Sequence, residues 1–469
     1  MTEPTTLGQE AVDHRAARWV AVATGSGVML QTIDSSATAM ALPAIGRAMG
    51  VAPLNASLTI VAYLIGVASI VPLGGWLGDR FSGRNVFRVA IAMTMVAAVA
   101  CTLASSMPVL VAARLFGGMS AAVLLPVGRL LVLRSTTREQ RVDALSTFST
   151  LALLGPLLGP AIGGVLTDLV GWRAIFLVNI PLGLFAFIAV TRFVERGQEL
   201  HSPPAIDLVG IVLAAVGTAS VAAGIELLGH GRAAEMAGGL CLLGALLLAA
   251  LAVHSQRRTG GLLDLELLKK RTLKVSMIVE CNLRLLIGSA PLLTALLLQT
   301  GLGLSASAAG LVMLAYPLGS MVAKALVAPV YDRFGFRNGM AGGVAVSAIT
   351  FAALAGLSGS GVAILGGVLL FVHGMARSLT LSATTVLAFE EIAPHAMGQA
   401  TSMTSILQQI FMVLGVGSAS ALLQSIAGQS SDLFALRVAT LAFGIITALP
   451  LITLARMPAN LGRESRQVA

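Results

Sequence analysis

Charge is scarce in this sequence. Only 11% of its 469 residues are charged while 56% are hydrophobic, too little polar surface to cover a soluble globule of that length. Aromatic residues make up 5%, a poor supply for stacking bases or caging a lipophilic cation. The net charge of +9 comes without a basic helix or aromatic platform, which argues against nucleic acid as a partner. Cysteine is nearly absent. Cys101, Cys241 and Cys281 sit in apolar runs without metal-ligand spacing, so neither a disulfide framework nor a metal site is expected. A glycine-rich loop ending in Gly-Lys-Ser/Thr is missing, which leaves ATP no phosphate cradle and implies no cofactor. An enzyme would need a nucleophile or metal cluster, and neither is visible. A non-transporting membrane sensor, the alternative from another class, would carry a soluble output domain, and that is missing too.

What the chain does have is long apolar runs. Windows of about twenty such residues predict an all-α polytopic membrane protein with helices near 18–41, 55–77, 87–105, 108–133, 143–166 and 174–194. Two further runs follow near 206–228 and 236–254. The last six lie near 272–300, 306–330, 339–358, 361–387, 396–424 and 433–456. Five segments result: a cytoplasmic tail over 1–17, a six-helix bundle over 18–194, a linker with two extra transmembrane helices over 195–271, a second bundle over 272–456 and a tail over 457–469. The first seventeen residues lack a separate apolar core and a small-residue cleavage site, so they do not read as a signal peptide. Most of the 30 lysines and arginines fall on one side of this plan. The other side holds only Arg47, Arg173, Arg232 and Arg437. The positive-inside rule then sets both termini in the cytoplasm, in a cell inner (plasma) membrane.

The two bundles are related. Gly75 to Phe87 reads GWLGDRFSGRNVF, and Ala328 to Asn338 reads APVYDRFGFRN. Asp79 and Asp332, Arg80 and Arg333, Phe81 and Phe334, Arg84 and Arg337, and Asn85 and Asn338 recur at one offset, the mark of a duplicated unit. Such a charged loop can act as a conformational latch: a carboxylate sits against a helix amino terminus while arginines bridge nearby acids.

Charges inside the apolar runs are the candidate working parts, because each costs several kcal/mol unless it is paired or faces water. Arg114 falls roughly 9 Å below the outer boundary of the fourth helix and Asp34 roughly 10 Å below it on the first, by helical rise. Their depths agree, so the two are predicted to pair. Burial disfavours the carboxylate of Asp34 while Arg114 favours it, the setting of a proton-coupling group. In the fifth helix Gly155, Gly159, Gly163 and Gly164 make a groove for close helix approach, and Pro160 removes a backbone bond. The second bundle adds Glu280 and Arg284 one turn apart, Lys324, His373 and Arg377, expected at a substrate cavity. Arg284 and Arg377 share a level, roughly 16–18 Å above the inner boundary.

These residues resemble the major facilitator superfamily and, within it, the fourteen-helix drug:proton antiporter group. The first loop carries the likeness in Gly75, Leu77, Asp79, Arg80 and Arg84, and the fourth helix in Leu110, Arg114, Gly118, Ala121 and Ala122. The fifth helix matches an antiporter motif in Gly155, Gly159, Pro160, Gly163 and Gly164, and the sixth opens on Trp172, Arg173, Ile175, Phe176, Asn179, Pro181 and Gly183. Trp172 and Arg173 suit an interface anchor. Three departures stand out: Ser82 takes the place of the first loop's second glycine, Ala328 that of the first glycine in the later copy, and Ala39 that of the family's usual asparagine on the first helix. The resemblance implies a monomeric exporter in the lipid bilayer that exchanges small-molecule substrate for protons by alternating access, as in multidrug efflux. The charge census points elsewhere for substrate. Arg114, Arg284, Lys324 and Arg377 outnumber the deep acids Asp34 and Glu280, which suggests export of organic anions such as carboxylates.

Overall fold

The structure, a computed structural model, describes residues 6–137, 140–195, 207–229, 234–257, 266–359, 361–392, 397–427 and 431–457. Among them every regular element is a helix. Hydrocarbon leaves a spanning backbone no external hydrogen-bond partner, so long apolar runs close their bonds within themselves. Eleven helices among the described residues are long and apolar enough to cross a membrane. The chain separates into two compact units, Met1–Thr38 with Leu58–Ile206 and Ala39–Ser57 with Asp207–Ala469.

The first unit holds most of α1 (Thr6–Met49), then α2 (Leu58–Ile70), α3 (Gly74–Arg80), α4 (Gly83–Leu103), α5 (Met107–Ala121), α6 (Leu124–Arg134), α7 (Arg141–Leu169), α8 (Ala174–Leu177) and α9 (Asn179–Phe193). Helix α1 departs from the expected tail over 1–17 by being helical from Thr6 onward. No proline follows Pro4 until Pro43, so the hydrogen-bond ladder runs on past the apolar stretch. It stops where Gly50 takes a left-handed φ of 67° and the Val51 N–H bonds back to the Gly46 carbonyl at 2.9 Å, a glycine-capped helix end. The core of this unit is built around Phe87, Ile91, Leu30, Leu124, Phe148 and Val190. Trp172, expected as an interface anchor, is buried at 5% exposure with its ring edge-on to Phe176.

The second unit comprises α10 (Leu208–Gly229), α11 (Ala234–Arg257), α12 (Arg271–Leu296), α13 (Ala306–Met313), α14 (Ala315–Ala353), α15 (Val362–Phe389), α16 (Met397–Ala427), α17 (Asp432–Ala448) and α18 (Pro450–Ala455). Ala214 of α10 and Leu251 of α11 pack with Leu273, Met277 and Met403. A second cluster gathers Val279, Leu283, Met340, Val344 and Leu387. Repetition extends to packing. A Cβ at Gly66 or Gly118 would overlap backbone at Leu115 or Tyr63, and one at Gly319 or Gly374 would overlap Phe371 or Tyr316. Glycine at these positions lets α2 lie on α5, and α14 on α15.

The repeated loops turn differently. The expected break between 330 and 339 is a kink inside α14, where Gly335 alone leaves helical geometry, at φ 74° and ψ 167°. In the first copy the same offset falls on Ser82, which holds φ −54° and ψ 114°, after an extended Phe81 at φ −111° and ψ 160°. A residue with a Cβ strains at left-handed φ, so a serine there obliges the chain to reverse over two residues at negative φ. Gly335→Ala is therefore expected to destabilise the protein by about 1–2 kcal/mol, and Ser82→Ala to leave stability nearly unchanged. Melting curves of the two purified variants against the parent check this.

Candidate functional site

Arginine 114 is the hub of the first unit. Its Nη1 donates to Asp34 Oδ2 at 2.5 Å, with the two side chains 2% and 8% exposed. Nε donates to the Thr59 carbonyl at 3.3 Å. The guanidinium lies over the Tyr63 ring at 4.2 Å and near that of Phe176 at 5.6 Å. The other carboxylate oxygen of Asp34, Oδ1, accepts from Asn179 Nδ2 at 2.7 Å. The structure thus brings together the two residues whose depths predicted a pair, and adds partners that depth alone did not reveal. Asn179 stood in the quoted run of the sixth helix as an amide in apolar surroundings, and Tyr63 is one of only three tyrosines; those were the available signals. A small cavity lined by Asp34, Thr94, Cys101, Arg114 and Gly117 adjoins the pair.

The glycines of the fifth predicted helix set the position of α1. A Cβ at Gly155 would overlap the Thr32 hydroxyl, one at Gly159 the Ser36 hydroxyl, and one at Gly163 the backbone of Ala37. Thr32 Oγ1 donates to the Ala152 carbonyl and Ser36 Oγ to the Gly155 carbonyl, each at 3.3 Å. Residues 32, 36 and 37 of α1 therefore meet α7 while Asp34 reaches Arg114. Helix α7 stays continuous through Pro156 and Pro160, and Gly164 is buried within it.

At the repeated loops, the side chain of Asp79 lies outside the described residues. Arg80, Asp332 and Arg333 are exposed, and Asp332 forms no ion pair among the described residues. The arginines at the fourth shared position behave alike in both copies. Arg84 Nη2 donates to the Thr191 carbonyl in the last turn of α9, and Arg337 Nη2 donates to the Ala455 carbonyl closing α18 at 3.0 Å. Arginines at the opposite ends reciprocate. Arg173 donates to the Thr102 and Ala104 carbonyls at 3.0 Å each, and Arg437 to the Leu357 carbonyl at 2.9 Å. The last carbonyls of a helix lack intrahelical donors and carry partial negative charge, so a guanidinium suits them.

In the second unit Glu280 accepts from Arg284 Nη2 at 3.1 Å. Arg377 Nη2 donates to Ser320 Oγ at 3.3 Å, and its guanidinium lies over the Tyr316 ring at 4.6 Å. His373, expected at a cavity, is fully buried. Its ring stacks on Tyr316 and packs on Phe351, and Nδ1 sits 3.2 Å from Ser347 Oγ. Lys324 is exposed and forms no ion pair among the described residues.

Comparison with known proteins places this arrangement. The profile of the family described as Major Facilitator Superfamily matches residues 24–256 and 281–467. The chain belongs to the major facilitator superfamily. A putative multidrug resistance protein MdtD of Serratia proteamaculans (strain 568) is 34% identical over 464 residues, covering 96% of this chain and 95% of that protein. The protein of the same description from Citrobacter koseri is 32% identical over 453 residues, with 94% and 95% covered. Among solved structures, a POT family transporter in complex with 5-aminolevulinic acid aligns with TM-score 0.72 at 13% identity over 94% of this chain and 96% of its own. A D-xylose–proton symporter aligns with TM-score 0.64 at 14% identity over 94% and 98%.

This major facilitator is a transporter and not an enzyme, with many membrane-crossing helices. Its buried ion pair has a measurable signature. Removing one partner strands the other charge in a dry site at a cost of about 3–5 kcal/mol. Arg114→Ala is expected to lose that much stability, and adding Asp34→Asn to restore part of it. A double-mutant cycle from thermal melts in detergent checks the coupling.

Proposed function

We propose that this protein exports small molecules by proton antiport with alternating access, as a multidrug-efflux-like pump of the inner membrane. The single observation that carries the coupling is the Asp34–Arg114 pair: Asp34 is the one buried acid of the first unit among the described residues. With the carboxylate ionised, the pair is neutral overall. A proton arriving on Asp34 cancels the attraction and leaves the Arg114 charge answered by the Thr59 carbonyl and the rings of Tyr63 and Phe176, with no anion among the described residues. That state is costly in a site so little exposed, so the proton favours whichever conformation admits water or substrate to Arg114. The names of the MdtD relatives support drug-like export. Asp34→Asn is expected to abolish export driven by a pH gradient in proteoliposomes while the protein, less stable for the stranded Arg114, still inserts and folds. Full gradient-driven export by that variant overturns the assignment.

The architecture belongs to the same proposal: six helices over 18–194, two extra over 195–271 and six over 272–456, acting as a monomer with both termini cytoplasmic. Eleven candidate spans support fourteen, once the kinked Ala306–Gly356 span counts as two and the 44-residue α1 and the shorter apolar Asn55–Ile70 are added. The repeated loops act as a latch. The bonds from Arg84 and Arg337 to helix-end carbonyls support that role. Asp79→Ala is expected to lower turnover several-fold with little change in substrate binding, and Asp332→Ala to act more mildly. Transport rates measured beside equilibrium binding test this, and equal losses in both quantities count against it.

A further inference from the structure

We propose that Arg377, with Ser320 and Tyr316 and the Arg284–Glu280 pair beside it, binds a carboxylate, so that the exported molecule is an organic anion. The inference rests on the reading of this chain as an exporter and is independent of how export is driven.

In the second unit α12 pairs its buried acid with its own arginine, while α15 carries a second arginine, Arg377, against Ser320 and Tyr316 of α14. Glu280 is 4% exposed and gives its oxygen to Arg284. Nothing anionic remains for Arg377 among the described residues. Its Nη2 reaches only the Ser320 hydroxyl, and its Nε is buried without a partner. Helix α12, which carries Arg284, packs against α15, which carries Arg377, so two guanidinium groups share this part of the unit with one acid.

The first unit shows what is missing. Tyr63 and Tyr316 are separated by the offset that relates Asp79 to Asp332, and each tyrosine ring lies beneath an arginine. In the first unit the pair is completed by the carboxylate of Asp34 and the amide of Asn179. In the second, Ser320 supplies a neutral hydroxyl and no carboxylate follows. A guanidinium offers parallel donors that fit a carboxylate bidentately, and an arginine in a membrane interior is costly until something supplies the counter-charge. An incoming organic anion supplies it. A lipophilic cation would instead meet repulsion from Arg377 and Arg284. His373 backs this site by stacking on Tyr316; it is itself fully buried, with Nδ1 3.2 Å from Ser347 Oγ.

Equilibrium binding to purified protein in detergent, without any proton gradient, tests the site with benzoate, succinate and tetraphenylphosphonium as probes. At least one carboxylate is expected to bind saturably. Arg377→Ala should weaken it by about tenfold to a hundredfold, the worth of a charge-assisted hydrogen bond, and Arg377→Lys should recover only part. Glu280→Gln should tighten binding, because it releases Arg284. Lys269→Ala, which removes an exposed charge paired with Glu266, should change nothing. Binding of neither carboxylate to the parent protein overturns the proposal, as does unweakened binding to Arg377→Ala. If the Arg377 variants do not purify as monodisperse protein, Glu280→Gln decides: unchanged or weaker carboxylate binding then overturns it. Because no gradient is present, a failure of proton coupling leaves this result standing, and failed carboxylate binding leaves proton coupling untouched.

Discussion

An arginine placed in hydrocarbon must be answered by the protein itself, and this structure answers its arginines in three ways. Arg114 is met by a carboxylate, a carbonyl and an aromatic face together. Arg84, Arg173, Arg337 and Arg437, which flank the apolar runs, are met by the carbonyls that end helices. Arg284 has its own acid one turn away. Much of the architecture serves these matches: α1 and α2 bring partners to the guanidinium that α5 carries, α8 brings the Phe176 ring, and α9 brings the amide that holds Asp34.

The helix-end bonds form a pattern that each unit shows in full. In each, an arginine near the start of one helix holds the end of another, and an arginine near the start of that second helix, or just ahead of it, holds the end of the first. Helix α4 and the Ala174–Phe193 stretch are tied at both ends by Arg84 and Arg173. The part of α14 beyond its kink and the stretch from α17 to α18 are tied by Arg337 and Arg437. Such ties oppose sliding of the two members, because any shift along the axis strands a guanidinium and a carbonyl together. Each unit therefore contains a helix pair tied at both ends.

The antiporter-type glycines also gain a specific physical meaning. A groove of small residues permits close approach in general, but here two hydroxyls of α1 enter it and bond to carbonyls of α7. Those bonds set the rotation of α1 and so the direction of Asp34. The glycines act on the ion pair at one remove: a side chain at Gly155 or Gly159 would displace the hydroxyls first and the carboxylate with them.

Hydropathy and duplication were enough to read an all-helical membrane protein, because a spanning backbone has few alternatives and apolar length is a local property. The sequence also paired Asp34 with Arg114, since depth along a helix follows from residue count alone. Rotation about a helix axis and contact between helices distant in sequence are not local, and only the tertiary structure decided them. It placed Tyr63 and the Thr59 carbonyl on Arg114 and Asn179 on Asp34, and turned His373 into the packing of the second unit. It gave the acid of α12 to Arg284 and left Arg377 with a hydroxyl, because a side chain one turn away on the same helix is nearer than one across a bundle.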